Sequence, residues 1–433
     1  MVAEAAVTLP ARVPLNGADW FLYLMDWRMR RRTGVGCVCH LVAELDADVT
    51  ADLDARLRAL PRWLWLARLR LRALPPLRTP AWEALGETWG GPVVLGDLSD
   101  EDALLGRLAM RLDVEREAPV RVSTARLGER RVVVLSWHHA LLDARGAEAL
   151  MSELGGVTRV VRPAMPAPAR SPMEQLWSAK KARDFIYQVS TGDLAWIDAG
   201  AEGHKDHFLR LRLTGDELAA IDVQAERVGA AMLRSALHVA ATTRAVAGLL
   251  SDRGVTTGDL LVPAPQEQRT ARGDVGNGLS LLFYRVPRAV VPDLAALVAH
   301  ATQQVRGMIR EAMPAAMTTL LDFCVWLPTW MYGPIVSFPT RGRLATFGVS
   351  DTGGSLGQLN TWQGAAVRDA WHVPANLYPP GVTFVFTRFR GAQDIVLRWR
   401  ADRLTPAELD TLVGRLRADL MGDAAVAREA ERG

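Results

Sequence analysis

The chain has 433 residues, of which 49% are apolar and 23% charged, and its formal net charge is +3. A chain of this length exceeds the usual size of one domain, so we expect two domains or two halves, each with its own core. So small a basic excess gives no support for a nucleic-acid-binding protein, and the apolar fraction is ordinary for a globular chain.

No stretch of the sequence is typical of a signal peptide or a membrane span. The N-terminus lacks a basic start followed by a long apolar core. The most apolar stretch, residues 323–336, is interrupted by Pro328 and Pro334 and is too short to cross a bilayer. The three cysteines are too few for a disulfide framework. We therefore expect a reduced, cytoplasmic protein without a transmembrane segment.

The N-terminal part of the chain alternates between predicted strands and helices. Residues 35–45 predict a strand, and residues 47–60 a capped amphipathic helix. Residues 63–74 alternate apolar and basic side chains, which predicts a half-buried strand. Residues 118–127 and 130–137 predict an antiparallel pair joined by a Gly-Glu turn. A helix is expected to follow this pair, over 146–154.

The Pro-, Arg- and Ala-rich residues 155–172 predict a linker, which divides the chain into an N-terminal half (1–172) and a C-terminal half (173–433). The second half again mixes helices and strands, so we expect each half to be an α/β sandwich. Its predicted elements are a polar helix after the linker, a strand and a Thr-capped helix over 207–221, a long apolar helix over 231–251, strands at 260–265, 275–287, 343–350, 382–388 and 394–400, and a closing helix capped by Thr405.

Residues 136–146 read SWHHALLDARG and place two adjacent histidines at the end of a buried strand. A strand end is a rigid platform from which one imidazole can face a substrate while its neighbour packs behind it. A neutral imidazole can take a proton from a hydroxyl, amine or thiol, and such base catalysis contributes roughly 10²–10⁴-fold in rate. Asp143 can orient the imidazole or hold the loop through an arginine. No G-x-S-x-G elbow stands at this strand end to indicate a serine nucleophile.

A metal site is the rival interpretation of the same residues. His138, His139 and Asp143 could be joined by His204 or His207. No CxxC or HExxH pattern supports zinc, and a solvated turn is the simpler explanation of residues 203–208. We therefore expect no metal, although a metal-dependent hydrolase stays open as a third hypothesis.

HHALLDARG (138–146) resembles the HHxxxDG motif of chloramphenicol acetyltransferase-like acyltransferases, which include nonribosomal peptide synthetase condensation domains and wax ester synthase/diacylglycerol acyltransferases. The similarity extends beyond the motif and covers most of the chain. Four further segments resemble the wax ester synthase branch, in the order of that family: PLNGADWFLYL (14–24), VGAAMLRSALHVAATTRAVAGLLSDRG (228–254), VPAPQEQRTARGDVGNGLSLLFYRVP (262–287) and FGVSDTGG (347–354).

The resemblance implies an α/β fold of two chloramphenicol acetyltransferase-like halves that form a V around a central tunnel. It implies that His139 is the general base, with His138 beside it. Asp143 would be structural and paired to Arg269, or alternatively to Arg272. Backbone N–H groups near Gly146 and small residues of the 350–357 loop, Ser350 among them, are expected to stabilise the oxyanion. Trp137 is expected to be a core or tunnel-lining residue.

Four positions depart from the family pattern. Ala144 stands where the family has the glycine after the motif aspartate, and a methyl group there is tolerated unless the backbone needs a positive φ. Leu233 and Arg234 replace the "ND" of the long helix. Asp351 replaces the asparagine of the late "SN" pair. These departures favour the possibility that the reaction is altered or lost.

The resemblance implies a stand-alone acyltransferase that moves an acyl group from coenzyme A or a carrier-protein pantetheine, acting in trans, to a small-molecule amine or hydroxyl. The acyl thioester is a co-substrate, and neither a metal nor a redox cofactor is required. The alternative is a non-catalytic or repurposed member that binds a thioester or a carrier protein. The run WRMRRR (27–32) could bind coenzyme A phosphates or an acidic carrier, although a charged helix face beside a buried Trp27 is the preferred explanation.

Overall fold

The computed structural model describes the chain except for residues 1–8, 74–77, 86–90, 109–110, 158–169, 199–204, 268–275, 338–339, 341 and 423–433. The described residues form fifteen strands and twelve α-helices, which confirms the expected mixed α/β class. The strands are β1 (Arg12–Pro14), β2 (Val38–Leu45), β3 (Leu69–Arg72), β4 (Ala81–Ala84), β5 (Val93–Leu98), β6 (Val120–Leu127), β7 (Arg130–His138), β8 (Asp206–Thr214), β9 (Leu260–Glu267), β10 (Leu279–Val286), β11 (Gly348–Gly353), β12 (Thr361–Trp362), β13 (Ala365–Val373), β14 (Val382–Phe389) and β15 (Ala392–Arg400).

Several of the helices begin at residues whose side chains cap the first turn. Asn16 and Asp19, Ser171 and Glu174, and Thr405 and Glu408 each form a reciprocal capping box. The helices are α1 (Gly17–Thr33), α2 (Leu53–Arg58), α3 (Pro61–Arg68), α4 (Glu101–Leu108), α5 (Ala144–Leu154), α6 (Pro172–Ser190), α7 (Asp216–Arg227), α8 (Arg234–Asp252), α9 (Leu294–Arg310), α10 (Met313–Cys324), α11 (Thr329–Ser337) and α12 (Pro406–Met421).

The larger sheet has six strands in the order β12-β13-β2-β7-β6-β5, antiparallel except for the β5–β6 pair. Its centre is β7, where Val133, Val134 and Leu135 are fully buried. A strand covered on both faces is a continuous apolar run, as this one is. The register between β2 and β7 pairs Val38 with His138, so the histidines lie where the central strand β7 ends.

The second large sheet has four strands in the order β11-β14-β15-β8, with β11 parallel to β14 and the other pairs antiparallel. Two smaller sheets complete the fold: β9 pairs antiparallel with β10, and β1, β4 and β3 form a three-stranded sheet. Two large apolar cores lie in the molecule. One packs on the N-terminal elements around Trp20 and Trp137, and the other packs on α8 and the four-stranded sheet.

Strand β13 is exchanged between the two halves. It belongs by chain order to the C-terminal half, yet it pairs antiparallel with β2, from Val367 opposite Leu45 to Val373 opposite His40. The division at residue 172 therefore leaves out part of the N-terminal sheet. Neither β12 nor β13 is predicted by the sequence pattern.

Two local predictions are wrong. Residues 63–68 were expected in a strand but belong to helix α3, and only Leu69–Arg72 are extended. Pro61 occupies the first turn of this helix, and Trp63, Leu66 and Ala67 are fully buried at i, i+3 and i+4 spacing. The helix after β8 begins at Asp216, and its N-cap residue is Gly215, so no threonine side chain caps it. Among the described residues, no helix is long and apolar enough to cross a membrane.

Candidate active site

The loop after β7 is held by backbone hydrogen bonds and by one indole. The amide of His139 donates to the carbonyl of Cys37 at 2.9 Å, which extends the β2–β7 ladder by one residue. Trp137 is buried and its Nε1 donates to the carbonyl of Leu142 at 2.9 Å. Trp137 therefore supports the turn that presents His139.

His139 is the half-buried histidine of the pair, and its imidazole lines a cavity between the two halves. Its Nδ1 lies 3.3 Å from the carbonyl oxygen of Leu142. A carbonyl only accepts, so Nδ1 carries the hydrogen and Nε2 keeps its lone pair. Burial lowers the pKa of His139, and hydrogen bonding to the backbone of His139 and Leu142, together with the nearby Asp143 carboxylate, offsets only part of this effect. His139 is therefore a neutral base at neutral pH.

His138 points away from the cavity and is completely buried. Its Nδ1 accepts a hydrogen bond from the amide of Ala140 at 3.2 Å, and its Nε2 lies 3.3 Å from Oδ1 of Asp26. Asp26 is also bound by Nε of Arg30 at 2.6 Å. Burial raises the pKa of Asp26, but His138 and Arg30 together bring it below its ordinary value. Both ring nitrogens of His138 are engaged, so it packs behind His139 and does not line the cavity.

Asp143 binds two backbone amides from different halves. Its Oδ1 accepts from Gly146 at 2.8 Å, which caps helix α5, and its Oδ2 accepts from Gly278 at 2.8 Å. The amide of Gly146 is therefore occupied and does not point at a substrate, contrary to its expected use as an oxyanion donor. The predicted partners Arg269 and Arg272 lie outside the described residues, so that pairing stays a prediction.

The segment that begins at Gly276 crosses from the C-terminal half and runs along the histidine loop. Gly276 donates to the carbonyl of Leu141 at 2.7 Å. The side-chain amide of Asn277 donates to the carbonyl of His139 and to Oδ1 of Asp19, both at 2.9 Å. Asp19 also accepts the backbone amide of Asn277 at 2.7 Å. Asn277 thus joins the start of α1 to the backbone of the candidate base.

The cavity beside His139 has a volume of about 200 Å³. Helix α1, the histidine loop, β9, β10, β11, β13 and β14 all contribute to its wall, so both halves are needed to form it. The polar side chains in this wall are few and are Asn277, Ser280, Ser350, Thr352, His372 and Thr383, beside His139 itself. An apolar cavity with a few polar groups is typical of a small-molecule site.

Ala144 is the first residue of α5, and its side chain lines this cavity. It is not among the described non-glycine residues with positive φ. The alanine therefore fits the backbone without strain and takes up space beside His139 that a glycine would leave open.

A second histidine, His372 on β13, also lines the cavity. Its Nε2 lies 2.8 Å from Oε1 of Glu148 on α5, and its ring packs edge-on against Trp137 at 6.2 Å between centroids. Glu148 is buried, as is His372. Sequence reasoning left His372 without a role, because the exchange of β13 between the halves was not predicted.

The C-terminal half contains a buried histidine–aspartate pair behind the cavity wall. Nδ1 of His238 on α8 lies 2.7 Å from Oδ2 of Asp351 on β11, and Nε2 lies 3.0 Å from the side-chain amide of Gln393. The ring stacks on Phe386 at 4.3 Å. Ser350, the neighbour of Asp351, faces the cavity. Asp351, in the place of the family's asparagine, is therefore matched by a histidine that fixes β11.

The described part of the chain holds no group of three or more His, Cys, Asp or Glu side chains placed to bind a metal. His207, one proposed member of such a group, lies on β8, where its ring stacks on Trp399 at 5.5 Å. His204, the other, lies outside the described residues. At the other motif departures, Leu233 precedes α8 and Arg234 pairs with Asp222.

Sequence reasoning missed Asp19, Asn277 and Glu148 as site residues. Asp19 and Asn277 stand inside two of the segments that carry the family resemblance, so a search for polar residues within those segments could have found them. No comparable signal existed for Glu148, which lies in the polar positions of an amphipathic helix.

No protein-family model matches the chain, and no curated protein matches it in sequence. Solved structures match over nearly its whole length. TRI3 trichothecene 15-O-acetyltransferase from Fusarium sporotrichioides has a TM-score of 0.68 at 11% identity, with 95% of each chain covered. The wax ester synthase/diacylglycerol acyltransferase from Marinobacter aquaeolei VT8 has a TM-score of 0.59 at 15% identity, covering 94% of this chain and 98% of that one.

The starter condensation domain of rhizomide synthetase, determined in complex with C8-CoA and Leu-SNAC, has a TM-score of 0.60 at 13% identity, covering 95% of this chain and 93% of that one. These proteins belong to the chloramphenicol acetyltransferase-like and condensation-domain superfamily. The likeness confirms the fold inferred from the motif, and at these identities it shows the fold alone.

Proposed function

We propose that this chain is an acyltransferase that moves an acyl group from a thioester to an amine or hydroxyl acceptor, with His139 as general base. One observation carries the proposal: the imidazole of His139 lines an apolar cavity formed by both halves, and its Nδ1 faces the carbonyl of Leu142. This arrangement leaves Nε2 as the proton acceptor. The shared fold with an acetyltransferase and an acyl-CoA-bound condensation domain supports the same class of reaction.

In the proposed reaction, Nε2 of His139 takes the proton of the acceptor N–H or O–H as the nitrogen or oxygen attacks the thioester carbon. The resulting tetrahedral intermediate collapses, the carbon–sulfur bond breaks, and the proton passes to the departing thiolate. The products are an amide or ester and a free thiol. No metal or redox cofactor enters this balance.

The oxyanion of the intermediate needs a hydrogen-bond donor in the cavity. The amide of Gly146 is used by Asp143, and the hydroxyl of Thr352 donates to the carbonyl of Phe386 at 3.2 Å, so the candidate is the hydroxyl of Ser350, which lines the cavity from β11. The donor thioester is coenzyme A or a carrier-bound pantetheine. The mainly apolar wall favours an uncharged acyl group or acceptor beside His139, because burying an unpaired charge there is costly.

Product detection tests the proposal. Purified protein is incubated with pooled acyl-CoA and acyl-pantetheine donors and pooled amines and alcohols, and products are identified by mass spectrometry beside a His139→Ala variant. We expect a new amide or ester that the variant does not form. Equal product from both proteins would contradict the role of His139. Tight thioester binding without any product would favour the alternative of a non-catalytic binding protein.

A further inference from the structure

The cavity of His139 contains a second imidazole, that of His372, which enters from strand β13. Both side chains line the same space of about 200 Å³, so one small molecule can contact both. None of the described residues that line this space is Asp, Glu, Lys or Arg. The thiol of Cys39 also lines it, but burial raises the pKa of that thiol to about 12, so it stays protonated. The two histidines are therefore the basic groups of the wall.

The hydrogen bond of His372 determines which of its nitrogens can act. Nε2 lies 2.8 Å from Oε1 of Glu148, and the two residues are only 4% and 8% exposed. A carboxylate accepts hydrogen bonds, so Nε2 carries the hydrogen and the lone pair of the neutral ring is on Nδ1. Nδ1 makes no hydrogen bond to a described residue and is not fully buried, so its lone pair is open to the cavity.

Glu148 is held behind His372 by helix α5. It lies one helical turn after Ala144, which lines the cavity. Its second oxygen, Oε2, lies 3.5 Å from Nη1 of Arg145, a long contact that solvent screens because the arginine side chain is 44% exposed. The ring of His372 also packs edge-on against Trp137. In such a carboxylate–imidazole pair, the carboxylate orients the ring and stabilises the imidazolium that forms when the other nitrogen takes a proton.

The two candidate acceptors, an amine and an alcohol, differ in the number of protons that they lose. A primary alkylamine is an ammonium ion at neutral pH, because its pKa is about 10, as for lysine. It loses one proton before its nitrogen can attack and a second as the carbon–nitrogen bond forms. An alcohol loses only one proton. Two bases on one wall therefore match an amine, whereas a single base would be enough for an alcohol.

We propose that the acceptor is a primary amine and that His372 is a second catalytic residue, whose Nδ1 takes the first proton of the ammonium group. The acyl transfer rests on the proposed function, whereas the binding of the ammonium group rests on the pair of His372 and Glu148. The neutral amine is the form that the apolar wall beside His139 favours.

The protons of the proposed reaction balance. The neutral amine attacks the thioester carbon, His139 takes the second proton, and the carbon–sulfur bond breaks as that proton passes to the thiolate. His372 releases the first proton to solvent when the products leave. An ammonium ion and a thioester thus give an amide, a thiol and one proton.

Calorimetric titration with benzylamine and benzyl alcohol at neutral pH tests the pair without turnover, because the two probes differ only in the group that Nδ1 would contact. We expect the unchanged protein to bind benzylamine roughly tenfold more tightly, the usual effect of one charged hydrogen bond. Glu148→Gln keeps an acceptor for Nε2 but removes the charge, and it should weaken benzylamine binding about tenfold with little effect on benzyl alcohol. His372→Phe keeps a ring against Trp137 and should abolish the preference for the amine.

Asp351→Asn is the matched control. Asp351 also binds a buried histidine, with Oδ2 at 2.7 Å from Nδ1 of His238, but neither is among the described residues that line the cavity. This variant should keep the preference for benzylamine. A purely structural role of Glu148 would lower stability without changing the ratio of the two affinities. Equal affinity for the two probes, failure of both to bind, or an unchanged ratio in both Glu148→Gln and His372→Phe would overturn the proposal.

Turnover separates this inference from the proposed function. With acetyl-CoA as donor, the unchanged protein should form N-benzylacetamide faster than benzyl acetate, and Glu148→Gln should lower amide formation more than ester formation. His139→Ala should lose both products and keep the tighter binding of benzylamine. Absence of product with a retained preference for benzylamine would contradict the proposed acyl transfer and support the ammonium site. Ester formation faster than amide formation would contradict the choice of an amine.

Discussion

His139 and His238 lie in different halves of the molecule, and each is close to an aspartate. His238 uses both ring nitrogens, one toward Asp351 and one toward Gln393, and its ring is stacked on Phe386. His139 uses one nitrogen toward a backbone carbonyl and turns its other edge to a cavity. The nearness of a carboxylate therefore does not identify a base. A base is identified by a ring nitrogen that faces the cavity and is not used by a protein group.

The largest effect is expected from His139→Ala. We predict a loss of about 10²–10⁴-fold in kcat/KM, the usual contribution of a general base. The side chain makes one long hydrogen bond, so the free energy of unfolding should fall by no more than about 1 kcal/mol. Steady-state kinetics and urea unfolding of the same preparation check both statements. A fully active His139→Ala variant would contradict the assignment of His139, and not His238, as the general base.

Asn277→Ala tests the connection between the halves. It removes the donors to Asp19 and to the carbonyl of His139, leaving the buried Asp19 carboxylate with fewer partners. We expect the protein to lose about 1–3 kcal/mol of unfolding free energy, and kcat/KM to fall because the loop that carries His139 is less well held. Urea unfolding and kinetics provide the measurement. Ser280→Ala, at a neighbouring cavity-lining position, is the control and should affect stability less.

His238→Ala should lower the stability of the protein more than its activity, the opposite of His139→Ala. Removing the ring leaves Oδ2 of Asp351 and the side-chain amide of Gln393 without their histidine partner, while Oδ1 of Asp351 keeps the amide of Gly353. It also opens a gap beside Phe386, so we expect a cost of about 2–4 kcal/mol in stability. The kcat of the remaining folded protein should change little, because His238 does not line the cavity. Thermal unfolding and single-turnover kinetics would show this. A large kcat loss with unchanged stability would place His238 in the chemistry instead.

Ala144→Gly is expected to have the smallest effect. Ala144 has no backbone strain to relieve, and a glycine loses more backbone freedom on folding. The substitution should therefore lower the free energy of unfolding by at most about 1 kcal/mol. The cavity gains the space of one methyl group beside His139. We expect the KM for a bulkier acyl donor to fall relative to that for acetyl, measured as a ratio in one assay. An unchanged ratio would mean that the methyl group does not limit the cavity.

The extent of sequence-based prediction differs between the strand that carries the histidines and the elements around it. Strand β7 is a continuous apolar run that ends at the histidine motif. Its assignment as a strand and the residue at which it ends therefore follow from the local pattern alone. Helix α3 was misassigned because WLWLARLR alternates well enough for a strand, and the burial of Trp63 with Leu66 is decided only by packing.

Contacts between distant segments could not be derived from the sequence. Asp19 and Asn277 are separated by 258 residues, and β13 reaches β2 across more than half of the chain. Nothing local in either segment specifies its partner. The contact between His372 and Glu148 follows from the same exchange of β13, so the second histidine of the cavity appeared only with the structure. The choice of His139 over His138 was implied by family resemblance, and the structure adds the physical reason in the free ring nitrogen.

The pH dependence of kcat/KM for a thioester donor tests the role of His139 most directly. Burial lowers the pKa of this imidazole, so the neutral, proton-accepting form persists below the ordinary value of 6.5. We predict that kcat/KM rises with pH through a single ionisation below 6.5 and then stays level through neutral pH, and that this ionisation is missing from the residual activity of His139→Ala. The same ionisation in the variant, or an ionisation above 6.5 in the unchanged protein, would contradict the assignment of His139 as the base.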